Sequence, residues 1–142
     1  MTAPNTAPHR STFATTPVWR VGAIASVVAA VATTLFAVVA RAVDVPLEIE
    51  DERIPALGFA LITLLWSVVG TILAVILART VKRPARAFLV TTVALTVLSF
   101  VPIVTADATT ATQVTLALSH LLAAAIVIPA LAARLSHAPA AR

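Results

Sequence analysis

The sequence predicts an all-α membrane protein, an antiparallel up-down bundle of four transmembrane helices. Three observations carry this. First, 60% of the 142 residues are hydrophobic and only 11% are charged, against about 45–50% and about 25% in soluble domains. Such a chain lacks the polar groups to cover a soluble core. Second, the apolar residues fall in four long runs and not in amphipathic stripes. Third, the charges sort by sign between the runs. Arg79, Lys82, Arg83 and Arg86 share one short stretch without an acid, while Asp44, Glu48, Glu50, Asp51 and Glu52, five of the six acids, share another. A short basic loop between apolar spans stays on the cytoplasmic side of a membrane, and placing it places the rest.

Residues 1–17 carry Thr, Ala, Ser and three prolines, Pro4, Pro8 and Pro17, and read as a disordered cytoplasmic tail. A transmembrane domain of residues 18–134 follows. Its first helix covers about 21–43, longer than the ~20 residues that span hydrocarbon. Arg10 and Arg20 precede it, and Ala40-Arg41-Ala42 has a cleavage-like form. The run nevertheless exceeds the apolar core of about 7–15 residues in a signal peptide, so the helix is expected to stay uncleaved. Trp19 stands at its start, at interface depth.

The acidic loop, bracketed by Pro46 and Pro55, belongs outside, and Arg41 lies one turn before Asp44, where the two can pair. The second helix covers about 57–78 and returns to the basic stretch. The third covers about 87–104. A second outer loop holds Asp107, the last acid. The fourth helix covers about 112–132 and contains Pro129, which removes a backbone donor and is placed to kink it. Residues 135–142 form a second cytoplasmic tail. With both termini inside, Arg10, Arg20, Arg79, Lys82, Arg83, Arg86, Arg134 and Arg142 are cytoplasmic and only Arg41 and Arg53 are outside, a strong positive-inside bias.

Helices in lipid associate by close packing and hydrogen bonds, because lipid tails are as apolar as leucine. Small residues at four-residue spacing mark faces that can approach. Gly22, Ser26, Ala30 and Thr34 lie on one such line in the first helix, and Gly70, Ala74 and Ala78 on one in the second. These faces are expected to meet, within the hairpin or between protomers.

His120 is the one ionisable side chain well inside an expected span. Such residues are rare in hydrocarbon and face the bundle or a cavity. It sits roughly 12 Å below the outer end of its helix at ~1.5 Å per residue. Equal depth on the other helices reaches Leu35, Leu65 and Thr96, and the polar residues at or beside those positions, Thr34, Trp66, Ser67 and Thr96, define a candidate polar layer around His120. Its functional readings are proton relay, haem or metal ligand, or substrate contact. The simpler reading is a neutral imidazole satisfied by a neighbouring hydroxyl or carbonyl. Trp66 is expected to pack and to find a partner for its N–H.

Several functions are disfavoured. There is no cysteine, which excludes disulfides, thiolate metal sites and thioether haem attachment. Bis-histidine haem would need a second intramembrane His, and His9 and His137 lie in the tails. The acidic loop lacks calcium-loop spacing and is expected to be a solvated loop without fixed geometry. No nucleophile elbow, phosphate loop or zinc motif is present, so no enzyme activity and no cofactor is expected. The basic residues flank apolar helices and form no nucleic-acid surface.

The stretches Val101-Pro102-Ile103-Val104-Thr105-Ala106, Leu116-Ala117-Leu118-Ser119-His120 and Ile128-Pro129-Ala130-Leu131 resemble an uncharacterised family of small four-helix membrane proteins from actinobacteria. The resemblance covers most of residues 20–135. It implies a plasma-membrane protein of four spans and carries no established activity, so no catalytic residue transfers. The expected function is therefore an integral plasma-membrane protein acting through helix–helix interaction, as an oligomer or an accessory subunit of an envelope complex, with the lipid bilayer and a membrane protein as partners. The alternative is a small transporter or channel component built on the His120 layer. The absence of an acid inside the first helix counts against that alternative.

Overall fold

The structure, a computed structural model, describes residues 17–137; the expected N-terminal tail lies almost wholly outside them, as does most of the C-terminal one. Helix α1 spans Val18–Ala42, α2 Ala56–Thr80, α3 Pro84–Leu98, α4 Phe100–Thr105 and α5 Thr110–Ser136. Proline sets three of the starts. Pro17 and Pro55 stand just before α1 and α2, and Pro84 opens α3, the end of a helix where a missing N–H costs nothing. Thr109 caps α5, its hydroxyl oxygen accepting from the Thr112 backbone N–H. The fourth helix runs to Ser136, past its expected end at 132, and passes through Pro129 without a break.

α3 and α4 together form one apolar span, Pro84–Thr105, so four helical spans of 22 to 27 residues are long and apolar enough to cross a membrane. At ~1.5 Å per residue each exceeds the roughly 30 Å of a bilayer core. The spans run up and down. α1 lies between α2 and α5, and α3 packs on α5 and α2, which closes the ring of four. One end of the bundle carries the acids and the other the basic turn between α2 and α3.

The interior is built mostly of small residues, Ala, Ser, Thr and Gly. Near the basic end, Ala25, Ala29, Ala74, Phe88, Val127, Leu131, Ala132 and Leu135 form one buried cluster. At the acidic end, Ala37, Ala40, Leu47 and Phe59 form a second. Small side chains let helix backbones approach closely, which is the main source of cohesion where lipid replaces water. The bulky residues point away. Ile24, Val28, Val31, Leu35 and Val39 on α1, and Leu57, Leu61, Leu65 and Ile72 on α2, are exposed. An apolar surface this extensive suits hydrocarbon and not water.

The acidic loop is not the shapeless segment its sequence suggests. Glu48–Ile49 (β1) and Glu52–Arg53 (β2) pair as an antiparallel hairpin, with Glu48 opposite Arg53 and an ion pair between them at 3.6 Å. The two turn residues, Glu50 and Asp51, both have positive φ, 52° and 62°, the backbone that matches hairpin twist. Leu47 is fully buried beneath it, and the Ile54 N–H donates to the Leu47 carbonyl at 2.9 Å. The Glu50 N–H donates to the Asp107 carbonyl at 3.0 Å, tying the two loops of this end together.

Candidate functional site

The most unusual backbone in the spans is the break between α3 and α4. Its cause is Pro102. A proline supplies no N–H to the carbonyl four residues earlier and its ring crowds that carbonyl; here that residue is Leu98, the last of α3. Ser99 sits at the break. Its N–H donates to the Leu95 carbonyl at 2.9 Å, and its hydroxyl donates to the Thr96 carbonyl at 2.7 Å. The same oxygen lies 2.6 Å from His120 Nε2 on α5.

A serine hydroxyl has one proton and two lone pairs. With the proton on the Thr96 carbonyl, the ring is the donor, which places its proton on Nε2 and leaves Nδ1 as an acceptor. The Phe100 ring meets the imidazole edge to face, with centroids 5.9 Å apart and planes at 89°. His120 is thus held by a hydroxyl and a phenyl ring, with no charged neighbour. Chemically this is a clamp. It pins the break in the third span to the fourth and satisfies polar groups that would otherwise face hydrocarbon.

The rest of the expected polar layer does not assemble around His120. Thr96 contributes its backbone carbonyl to Ser99. Thr34 turns back on its own helix, donating to the Ala30 carbonyl at 2.7 Å. Ser67 is buried, and its carbonyl accepts from the Thr71 hydroxyl at 2.8 Å. Trp66 corrects the expectation made for it: the residue is 63% exposed on the outside of the bundle. The interhelical bond that sequence reasoning missed joins Thr33 to Thr63, hydroxyl to hydroxyl at 3.0 Å, between α1 and α2.

The packing faces show the same error of phase. Gly22, Ser26 and Ala30 are buried on α1, and Ala74 is fully buried on α2. Ala78 packs at the edge of the larger cluster. Gly22 lies directly against the Thr71 side chain, where a Cβ would clash, whereas a Cβ at Gly70 would meet nothing within 4 Å. Gly70 is therefore no part of the α1–α2 contact. At roughly 100° per residue, a four-residue step drifts about 40° around a helix, while an eleven-residue step drifts only about 20°. The buried line on α1 accordingly passes from Gly22 to Thr33, not Thr34. On α2 it runs through Thr63, Ser67 and Ala74, with Ala78 half-buried beyond them.

The pairing expected between Arg41 and Asp44 is replaced as well. Arg41 Nη2 donates to the Ile54 carbonyl, clasping the hairpin to the end of α1, while its buried Nε has no partner. At the acidic end a hollow of about 320 Å³ is lined by Pro46, Glu48, Asp51, Asp107, Ala108 and Thr109. Among the described residues no three metal-ligating side chains converge.

The match to known sequences then fixes the kinship. The chain belongs to a family of unknown function, DUF6069. The match covers residues 13–137, which takes in all four spans, the hairpin and the Ser99–His120 pair. No curated protein and no solved structure matches the chain. DUF6069 membership and four spanning-length apolar helices together make this a multi-pass membrane protein whose activity its family does not name.

Proposed function

We propose that this DUF6069 protein resides in a bacterial plasma membrane with both termini in the cytoplasm, and that it acts through helix–helix association, as an oligomer or as an accessory subunit of an envelope complex. The orientation rests on the basic residues: among the described residues six, Arg20, Arg79, Lys82, Arg83, Arg86 and Arg134, fall on the side of the α2–α3 turn and two, Arg41 and Arg53, on the other. Cytoplasmic loops carry such an excess.

The observation that favours association is the third span. α3 buries only Pro84, Phe88 and Thr92, and α4 buries nothing. Interrupted backbone at membrane depth is tolerated where protein covers it, and here the chain's own helices cover it on one side only. A helix from another chain would complete the cover. The chain has no cysteine, so single thiols introduced at Val93 or Val97, both exposed on α3, can be crosslinked in native membranes and the adducts identified by mass spectrometry. The expected result is a discrete adduct from the third span and none from a thiol at Val31 on α1. A monomer at every position contradicts the proposal.

The reading as a small transporter keeps one supporting observation, the Ser99–His120 bond. His120→Ala separates the two: a transporter built on this residue loses proton coupling in liposomes, while an association protein still folds and reaches the membrane.

A further inference from the structure

We propose that the turn between α2 and α3 is a binding site for an anionic phospholipid, with the headgroup phosphate on Arg83 and Arg86 and an acyl chain along α3. A hollow of about 380 Å³ opens there, lined by Val81, Arg83, Arg86, Ala87, Val90 and Thr91. Its upper rim is cationic and its floor is apolar. Arg83 and Arg86 are exposed, and no carboxylate pairs with either, because all six acids lie at the other end of the bundle. No acid stands in the first turn of α3. Arg83 stands just before α3 and Arg86 in its first turn, and both line the same hollow, so two guanidinium forks can converge on a single phosphate.

The apolar part decides what kind of anion fits. Ala87, Val90 and Thr91 continue directly from the two arginines along the helix, and the exposed line carries on through Ala94 and Val97. The surface therefore passes from charge to hydrocarbon in the direction a phospholipid does. A free phosphate would use the rim and leave the floor bare. The third span is also the one least covered by its own chain, so a lipid can lie along it. The site rests on the basic turn lying at the membrane surface, as proposed above, but not on any association between chains.

The test uses the full chain in nanodiscs of phosphatidylcholine and phosphatidylglycerol in equal amounts, released into the gas phase for native mass spectrometry. The wild type is expected to retain one phosphatidylglycerol per chain in preference to phosphatidylcholine. Arg83→Gln with Arg86→Gln is expected to lower the preference for phosphatidylglycerol over phosphatidylcholine about thirtyfold, at about fivefold in binding constant for each basic residue near a headgroup. Val90→Trp keeps both charges but fills the hollow, and is expected to lose the lipid too. Arg79→Gln with Lys82→Gln is expected to keep it. Equal loss in the Arg79 and Lys82 pair would mean a diffuse field and no site. Retention by Val90→Trp, or displacement of the lipid by inorganic phosphate, would mean a free-anion site. Either result overturns the proposal. Retention is read from the mass of one chain with its lipid and association from crosslinked adducts, so each can fail without the other.

Discussion

The first and third spans have nearly the same mean hydropathy, 2.4 and 2.3, and opposite fates. α1 buries eight residues, all of them Gly, Ala, Ser or Thr. α3 and α4 bury three between them, and Phe88 is the only large side chain among these. The difference is one of arrangement. On α1 the small residues return in phase with the helix, so one face is smooth and two neighbours close onto it. On the third span Val90, Val93, Val97, Leu98, Val101 and Val104 are all exposed, and Pro102 breaks the rod before a long smooth face can form. In lipid, hydrophobicity alone does not bring helices together, and the contrast between these two spans shows what does.

That contrast can be broken at its strong side first. Gly22→Leu drives a side chain into Thr71 and is expected to cost about 3 kcal/mol, the upper range for overpacking, read as loss of the folded fraction in a denaturation series in micelles. Phe88→Ala is expected to cost about 2 kcal/mol. This is less than the 3–5 of a soluble core, because the transfer from water drops out when lipid is the reference and the cavity remains. The difference from the soluble value is itself measurable by the same denaturation series.

The next effects are smaller and concern the polar bonds. Ser99→Ala is expected to cost about 1 kcal/mol, within the range found for interhelical hydrogen bonds in membranes. It is also expected to raise hydrogen exchange in residues 96–105 more than anywhere else. Unchanged exchange there would mean that His120 does not restrain the break. Thr33→Val is expected to cost about 0.6 kcal/mol, while Thr34→Val, one residue on, costs less because its bond stays within α1. At the foot of the scale, Gly70→Ala is expected to be neutral or to stabilise by up to about 1 kcal/mol, the helix propensity gain alone. A large loss at Gly70 would restore it to the packing face.

The four spans were legible because length and composition decide them, and both are local properties. The positions of the basic and acidic turns were legible for the same reason. The choice of Thr33 over Thr34 depended on a phase that a four-residue pattern blurs, though the eleven-residue spacing from Gly22 carried it. Pro102 was visible, and counting back four residues to Leu98 locates the break; the serine beside it then becomes the obvious partner for a histidine on the neighbouring span. The hairpin was not legible. Its turn holds Glu50 and Asp51 where Asn and Gly are usual. It is held by contacts distant in sequence, such as the Glu50 N–H on the Asp107 carbonyl. Trp66 was misjudged because a large ring in an apolar span looks like core, whereas the buried face of α2 is made mostly of small residues, Thr63, Ser67 and Ala74.

Single cysteines at Glu50, in the hairpin turn, and at Thr80, at the end of α2, test the four-span arrangement most directly. A membrane-impermeant maleimide applied to intact cells is expected to label the thiol at position 50 at once, and the thiol at position 80 only after permeabilisation. Labelling of position 80 on intact cells would reverse or abolish the topology on which the basic turn, the lipid site and the exposed third span all depend.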